Sequence, residues 1–256
     1  MKKSIFTLFI GLLLGTNLLS AQNAVSPEPF DVQARFYRLA LKNYDLQAAT
    51  VALYNMLAIK PERTDINDSL ALIYFAAERY AQASMIGEEI IKSDPKRKDI
   101  LELVAVSKQN LGLIKESLAN YETLYTNEKS VYYLYQIATL QYQMKRYGEC
   151  IASLDQIIAS PDADKQKVNI RTQSGGQEVP MKAAAFNVKG ICAMELNQEE
   201  AAKENFNKAL ELFPNFALAK GNLDAIAKKK EQPKQATPAV IKTPTTTTKT
   251  TTVKPK

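Results

Sequence analysis

Any chemistry in this chain would have to be done without histidine, of which its 256 residues contain none. That removes the Cys–His pair, the Ser–His–Asp triad and the commonest metal ligand together. Cys150 and Cys192 therefore lack the base that would make either a nucleophile, and no metal or cofactor is expected. Nor does a glycine-rich phosphate loop follow any strand-like segment. Carboxylates remain. Asp65, Asp68, Asp99 and Glu102 fall on two successive segments, and paired carboxylates about 5–10 Å apart across a closed cleft can cleave glycosides. Carboxylates recurring on successive helices are more simply a solvated face, so no enzyme is expected and recognition is what is left. Residues 131–142, VYYLYQIATLQY, put Tyr132, Tyr133, Tyr135 and Tyr142 on one helix. Tyrosine joins a large contact area to a polar tip, which suits an interface anchor, although some of the four can equally pack on neighbouring helices. Tyr132, Tyr135 and Tyr142 are expected at the surface and Tyr133 in the core.

The elements that must position these residues show themselves through an internal period. Leu70 to Pro95, LALIYFAAERYAQASMIGEEIIKSDP, reads as a helix, a tight turn and a second helix stopped by proline. A shift of 34 residues back carries Pro95 onto Pro61, Ala83 onto Ala49 and Ile90 onto Met56; a shift of 34 forward carries Ala71 onto Ala105 and Ile90 onto Leu124. One further step, a residue shorter, reaches Ala138, Cys150 and Ile157, and the pattern resumes after about 18 inserted residues at Phe186, Gly190, Ala202, Phe206, Ala209 and Pro214. A lone helix pair cannot bury both of its apolar stripes, so the pairs must stack. Small residues are expected where axes cross closely: Ala71 with Ala83, Ala138 with Cys150, Gly190 with Ala202.

Leu70-Ala71-x2-Tyr74 followed by Ala83 and Pro95, and later Gly190, Ala202, Phe206, Ala209 and Pro214, resemble the tetratricopeptide repeat family. Tyr37, Lys129 and Asp162 depart from its pattern. The resemblance implies an all-α, right-handed superhelical solenoid of about five helix-turn-helix repeats (about 30–63, 64–97, 98–130, 131–160 and 183–216) and a C-terminal capping helix at 217–227. It also implies a protein or peptide partner held along the concave face made by the first helix of each repeat. Carried onto this chain, that face includes Asp68, Phe75, Glu102, Gln109, Tyr132, Tyr135, Tyr142 and Asn187, together with Arg38, Leu72, Val106, Thr139, Ile191 and Met194. The Lys–Asn clamp with which some members hold a terminal carboxylate is absent. Acidic residues at the front and tyrosines behind point to a basic or aromatic segment as ligand.

The insertion at 161–182 contains KVNIRTQSGGQEVPMK, whose alternation predicts a β-hairpin over about 167–182. A turn centred on Gly175-Gly176 would pair Thr172 with Val179 and Ile170 with Met181 and sort the two faces cleanly. The hairpin can serve as a lid over a break in the stack or as a binding element.

The ends bear on location. Met1 to Ala21, with Lys2 and Lys3 before an apolar run from Ile5 to Leu14, reads as an export signal. A bacterial envelope protein, periplasmic or secreted, is expected, and Cys150 and Cys192 would then meet oxidising conditions: they pair if their Cα atoms come within about 7 Å and otherwise fill core positions. Residues 228–256 are Lys, Thr and Pro without an apolar face, a composition of disordered tails; this one would solubilise the chain or touch an acidic envelope surface weakly. The formal charge of +6 is concentrated in leader and tail, so no nucleic-acid partner is expected. Two roles follow, a binding scaffold or adaptor without catalytic activity, or a permanent subunit of an envelope assembly for secretion, motility or outer-membrane biogenesis.

Overall fold

The computed structural model describes residues 28–172 and 175–231. The expected leader (1–21) and the tail beyond Glu231 lie outside the described residues. Within them the chain is all-α apart from one two-stranded hairpin, and it divides into two compact units at Ala163/Asp164.

The first unit holds four helix pairs: α1 (Pro29–Lys42) with α2 (Leu46–Ile59), α3 (Asp65–Ala76) with α4 (Tyr80–Ser93), α5 (Lys98–Asn110) with α6 (Ile114–Glu128), and α7 (Val131–Gln143) with α8 (Tyr147–Ala159). The second unit holds the hairpin, β1 (Lys167–Thr172) and β2 (Gly175–Pro180), then α9 (Met181–Glu195) paired with α10 (Glu199–Leu212), and α11 (Ala217–Glu231). The last helix runs four residues past the expected end of the cap.

The period is written in the backbone as well as in the side chains. Each pair turns through one residue in the left-handed region: Tyr44, Glu78, Gly112, Lys145 and Asn197, with φ between 55° and 75°. They are spaced 34, 34, 33 and 52 residues, the last interval being one period plus the 18-residue insertion. In every case the next N–H reaches back to a carbonyl of the first helix: Asp45 to Ala40 at 2.9 Å, Arg79 to Tyr74 at 2.8 Å, Leu113 to Lys108 at 2.9 Å, Arg146 to Gln141 at 2.9 Å and Gln198 to Ala193 at 2.8 Å. This is the Schellman closure, which satisfies carbonyls that a helix end leaves open. Only Gly112 adopts the conformation without steric cost.

Close crossings use the expected small residues. Ala71, Ala83, Ala105, Ala138, Cys150 and Ala202 are fully buried. Ser117 takes the alanine position of the third pair, and its hydroxyl is satisfied by donating to the Ala105 carbonyl at 2.8 Å. Gly190 is packed more tightly than a crossing with Ala202 would require: a Cβ there would lie 2.5 Å from Cε1 of the Phe206 ring. Cys150 and Cys192 are each buried within their own unit.

The hairpin forms, but not with the expected turn. Thr172 pairs with Gly175, Ile170 with Gln177, Val168 with Val179 and Lys167 with Pro180, so Gly175 and Gly176 belong to the second strand and are not the centre of the turn. The cause lies at the far end of the ladder. Met181 begins α9, its side chain is fully buried, and its N–H donates to the Gln166 carbonyl at 2.9 Å. With Met181 and Lys182 taken into the helix, the register slides by two residues along each strand. An even slip keeps every side chain on its expected face, so Val168, Ile170 and Val179 still share one side. Pro180 also still falls in a non-hydrogen-bonded pair, now opposite Lys167, where its missing N–H costs nothing. The two glycines have separate tasks: Gly175 has φ +124°, and a Cβ on Gly176 would lie 2.7 Å from Asn169 Oδ1.

Inside the second unit the hairpin is fastened at a third point. Gln177 donates through Nε2 to the Asn215 carbonyl at 2.6 Å and accepts through Oε1 from the Ala217 N–H at 3.2 Å, spanning the turn between α10 and α11. Lys182 pairs with Asp164 at 2.7 Å.

Candidate partner-binding site

The first helices of the inner pairs are packed on two sides, against their own second helix and against the second helix of the preceding pair. One arc of each is left. On α3 it carries Asp65, Asp68, Leu72 and Phe75, and Leu72 is 56% exposed. On α5 it carries Asp99, Glu102, Val106 and Gln109, and on α7 Tyr132, Gln136, Thr139 and Tyr142. Side chains tie the three arcs into one row. Arg97 reaches Asp68 at 2.9 Å and Asp99 at 2.8 Å, and the Tyr133 hydroxyl donates to Glu102 Oε2 at 3.1 Å.

The acidic front of the row is partly offset by two arginines. Arg97 forks onto both oxygens of Asp99 while its other amino group holds Asp68, and Arg63 forks onto Asp65 at 2.7 Å. Each fork holds its aspartate below the usual carboxylate range. Two guanidiniums thus hold three of the four carboxylates, which reduces the negative charge of the row without cancelling it. Arg63-x-Asp65 and Arg97-x-Asp99 stand 34 residues apart, so the repeat itself carried the signal for these forks.

Glu102 is the remaining carboxylate, half-buried at the centre of a tyrosine cluster. Tyr132 and Tyr133 meet edge to face with centroids 5.4 Å apart, and Tyr121 lies 6.3 Å from Tyr133. Burial first, and then the charge of Glu102, hold the Tyr133 and Tyr132 hydroxyls above the ordinary phenol range; burial followed by Tyr132 and Glu102 does the same to Tyr121. All three are neutral at physiological pH.

The tyrosines expected at the surface divide. Tyr132 and Tyr142 are half-buried at the edge of the row, Tyr142 with its ring 5.9 Å from Tyr147. Tyr133 is core, as expected. Tyr135 is not exposed: 7% of it is accessible, and burial pushes its hydroxyl up to about 12. At 100° per residue Tyr135 stands about 60° from Tyr132, on the side of Val131 and Ala138, both buried. Asn187 is also removed from the surface. It is 2% exposed, and its Oδ1 accepts from Asn222 Nδ2 of α11 at 3.1 Å. Ile191 and Met194 pack on the core of Phe206 and Ile226. Phe75 is half-buried and meets Tyr80 edge to face, with centroids 5.8 Å apart. Gln136, which reasoning from the sequence passed over, takes the place in the row that Tyr135 vacates.

Comparison with known proteins fits this geometry. Residues 183–216, α9 and α10, match the tetratricopeptide repeat family. The chain has the tetratricopeptide repeat fold. Among solved structures it is similar to YrrB, described as a TPR protein with an unusual peptide-binding site, at 16% identity over 75% of this chain and 90% of that one, with a TM-score of 0.57. It is similar to the MamA protein at 11% identity over 81% and 97% of the two chains, TM-score 0.56. MamA of Desulfovibrio magneticus RS-1 gives 10% identity, 75% and 98% coverage and a TM-score of 0.56. Curated protein sequences give no significant match. The tetratricopeptide fold is typically an interaction module without catalytic activity. Among the described residues no helix is long and apolar enough to cross a membrane.

Proposed function

We propose that the protein is a scaffold without catalytic activity that binds an extended protein segment along the row formed by α3, α5 and α7. The observation that carries this is the row itself. Leu72 and Val106 offer apolar surface 34 residues apart on successive first helices, Phe75 and Tyr132 extend it, and Glu102 sits among them as an acceptor beside neutral tyrosines, one of which, Tyr133, already donates to it. The chemistry selects an apolar or aromatic segment with one donor, an amine or guanidinium, set over Glu102, because the other carboxylates are already held by Arg63 and Arg97. The printed description of YrrB, a peptide binder of the same fold, supports the reading. We place the scaffold in a bacterial envelope, on the strength of the leader-like residues 1–21.

The test is capture in intact cells by a photo-crosslinker at Thr139. A discrete adduct is expected, lost in Leu72→Asp and in Glu102→Gln while helical content stays unchanged. Capture that survives both substitutions would place recognition elsewhere.

A further inference from the structure

Three positions recur at each junction between helix pairs of the first unit. At the first junction they are Tyr54, Tyr74 and Ile86: the two hydroxyls share a hydrogen bond of 2.9 Å, and Ile86 is buried. At the third they are Glu122, Gln141 and Ser153, and Ser153 Oγ donates to Gln141 Oε1 at 2.9 Å. The second junction, at the same steps of the period, has Glu88, Lys108 and Asn120. Here the set is left open. Lys108 Nζ turns to Glu88 at 2.6 Å, and Asn120 Nδ2, shut off from bulk water, hydrogen-bonds to nothing. A buried donor without an acceptor is costly and calls for an explanation. Beside it lies a cavity of about 250 Å³, walled by Ile91, Leu101 and Val104 and lined also by Glu88, Lys92, Lys108 and Asn120. Val104 and Lys108 each stand two residues from Val106, about 200° round α5, so the cavity faces away from the row.

We propose that this cavity binds a small aliphatic carboxylate, its oxygens taken by the Asn120 amide and the two lysines and its chain laid on Ile91, Leu101 and Val104. Three features select that chemistry. Donors are in surplus: an ammonium carries three N–H groups, Glu88 takes one from Lys108, and Asn120 Nδ2 has no acceptor at all. A turn about χ2 of Asn120, a soft torsion, brings Nδ2 into the cavity that its side chain lines. Charge agrees, since Glu88 stands against Lys92 and Lys108 and leaves one positive charge over. Size agrees as well. An apolar cavity of about 150 Å³ already admits benzene, so this one has room for a chain of about six carbons. An ammonium ligand would set charge against like charge and leave Asn120 unpaired. Water would meet the amide but leave the apolar wall uncovered.

The test is titration of the purified chain with hexanoate, followed by nuclear magnetic resonance at the side-chain amide of Asn120. A saturable shift is expected there, with a Kd of about 1 mM or tighter for a ligand of this size, and none with hexylammonium. Lys92→Glu should weaken binding by about fivefold or more. Asn120→Ile, which copies the residue that stands at position 86, should abolish it and leave the fold at least as stable, because it removes the orphaned donor and fills the space. Helical circular dichroism reports folding in each variant, and Lys92→Glu, at the surface, stands even if Asn120→Ile perturbs α6. A titration that stays flat to about ten times that concentration means that water alone occupies the cavity and overturns the proposal. So do shifts spread over surface lysines outside the cavity, equal binding of hexylammonium, or binding unchanged in folded Asn120→Ile.

Discussion

Glu102 and Asn187 occupy the same place in the repeat, three residues before the small residue of the first helix, Ala105 and Gly190. In the first unit that place is a half-open acceptor among tyrosines; in the second it is 2% exposed and bonded to Asn222. The period assigns the position, but the next helix decides whether a ligand can reach it. In the second unit α11 puts an amide there, and Gln177 of the hairpin in turn fixes the start of α11. At this position the second unit is closed and the first is open.

The largest expected effect breaks the closed unit. Gly190→Ala drives a methyl into the Phe206 ring and should cost about 2–3 kcal/mol, read as a lowered denaturation midpoint, whereas Gly148→Ala, in a helix and with nothing within 4 Å of the added atom, should raise it slightly, by about 0.5–1 kcal/mol. Next comes the pair of equivalent positions. Asn187→Ala should cost about 1–2 kcal/mol by removing a buried hydrogen bond and leave partner capture intact. Glu102→Gln should change stability by less than about 0.5 kcal/mol and abolish capture. Equal behaviour of the two would erase the distinction drawn between the units.

Alkaline pH probes the tyrosine cluster of the first unit. Tyr121, Tyr132 and Tyr133 have folded pKa values raised above the free phenol value of 10.0, so the unfolded chain gives up these protons first. Their contribution is complete below pH about 10 and is lost as pH climbs through the folded values, by up to about 1.4 kcal/mol per group for each pH unit. Circular dichroism followed beside tyrosinate absorbance should show helix loss beginning above pH about 10, and Tyr133→Phe should reduce its steepness. The smallest effect is a gain. Glu78→Gly relieves a left-handed residue at φ 57° and should add about 0.5–1 kcal/mol to stability in urea titration.

Much of this fold was legible before any coordinates, because stacking imposes the same small residues at every crossing, and Ala71, Ala83, Ala138 and Ala202 are all buried where the period put them. The hairpin's faces were legible from alternation. Its register was not, since an even slip leaves alternation unchanged and only the start of α9 at Met181 selects between the two. Site residues were harder for a related reason. A period says which residues are equivalent, yet Tyr135 lies about 60° off the open arc, and Asn187 is met by Asn222, 35 residues away. Arg97 was passed over although the Arg-x-Asp spacing recurs with the period, because attention to carboxylates alone left out the cations that balance them.

The account turns on recognition residing in the first unit's row of first helices. Photo-crosslinkers placed singly at Leu72, at Thr139 and, in the second unit, at Ile191 compare the two regions within one chain in the cell. The account predicts the same adduct from Leu72 and Thr139 and none from Ile191. An adduct from Ile191 alone, or one as strong there as at Leu72, would contradict it.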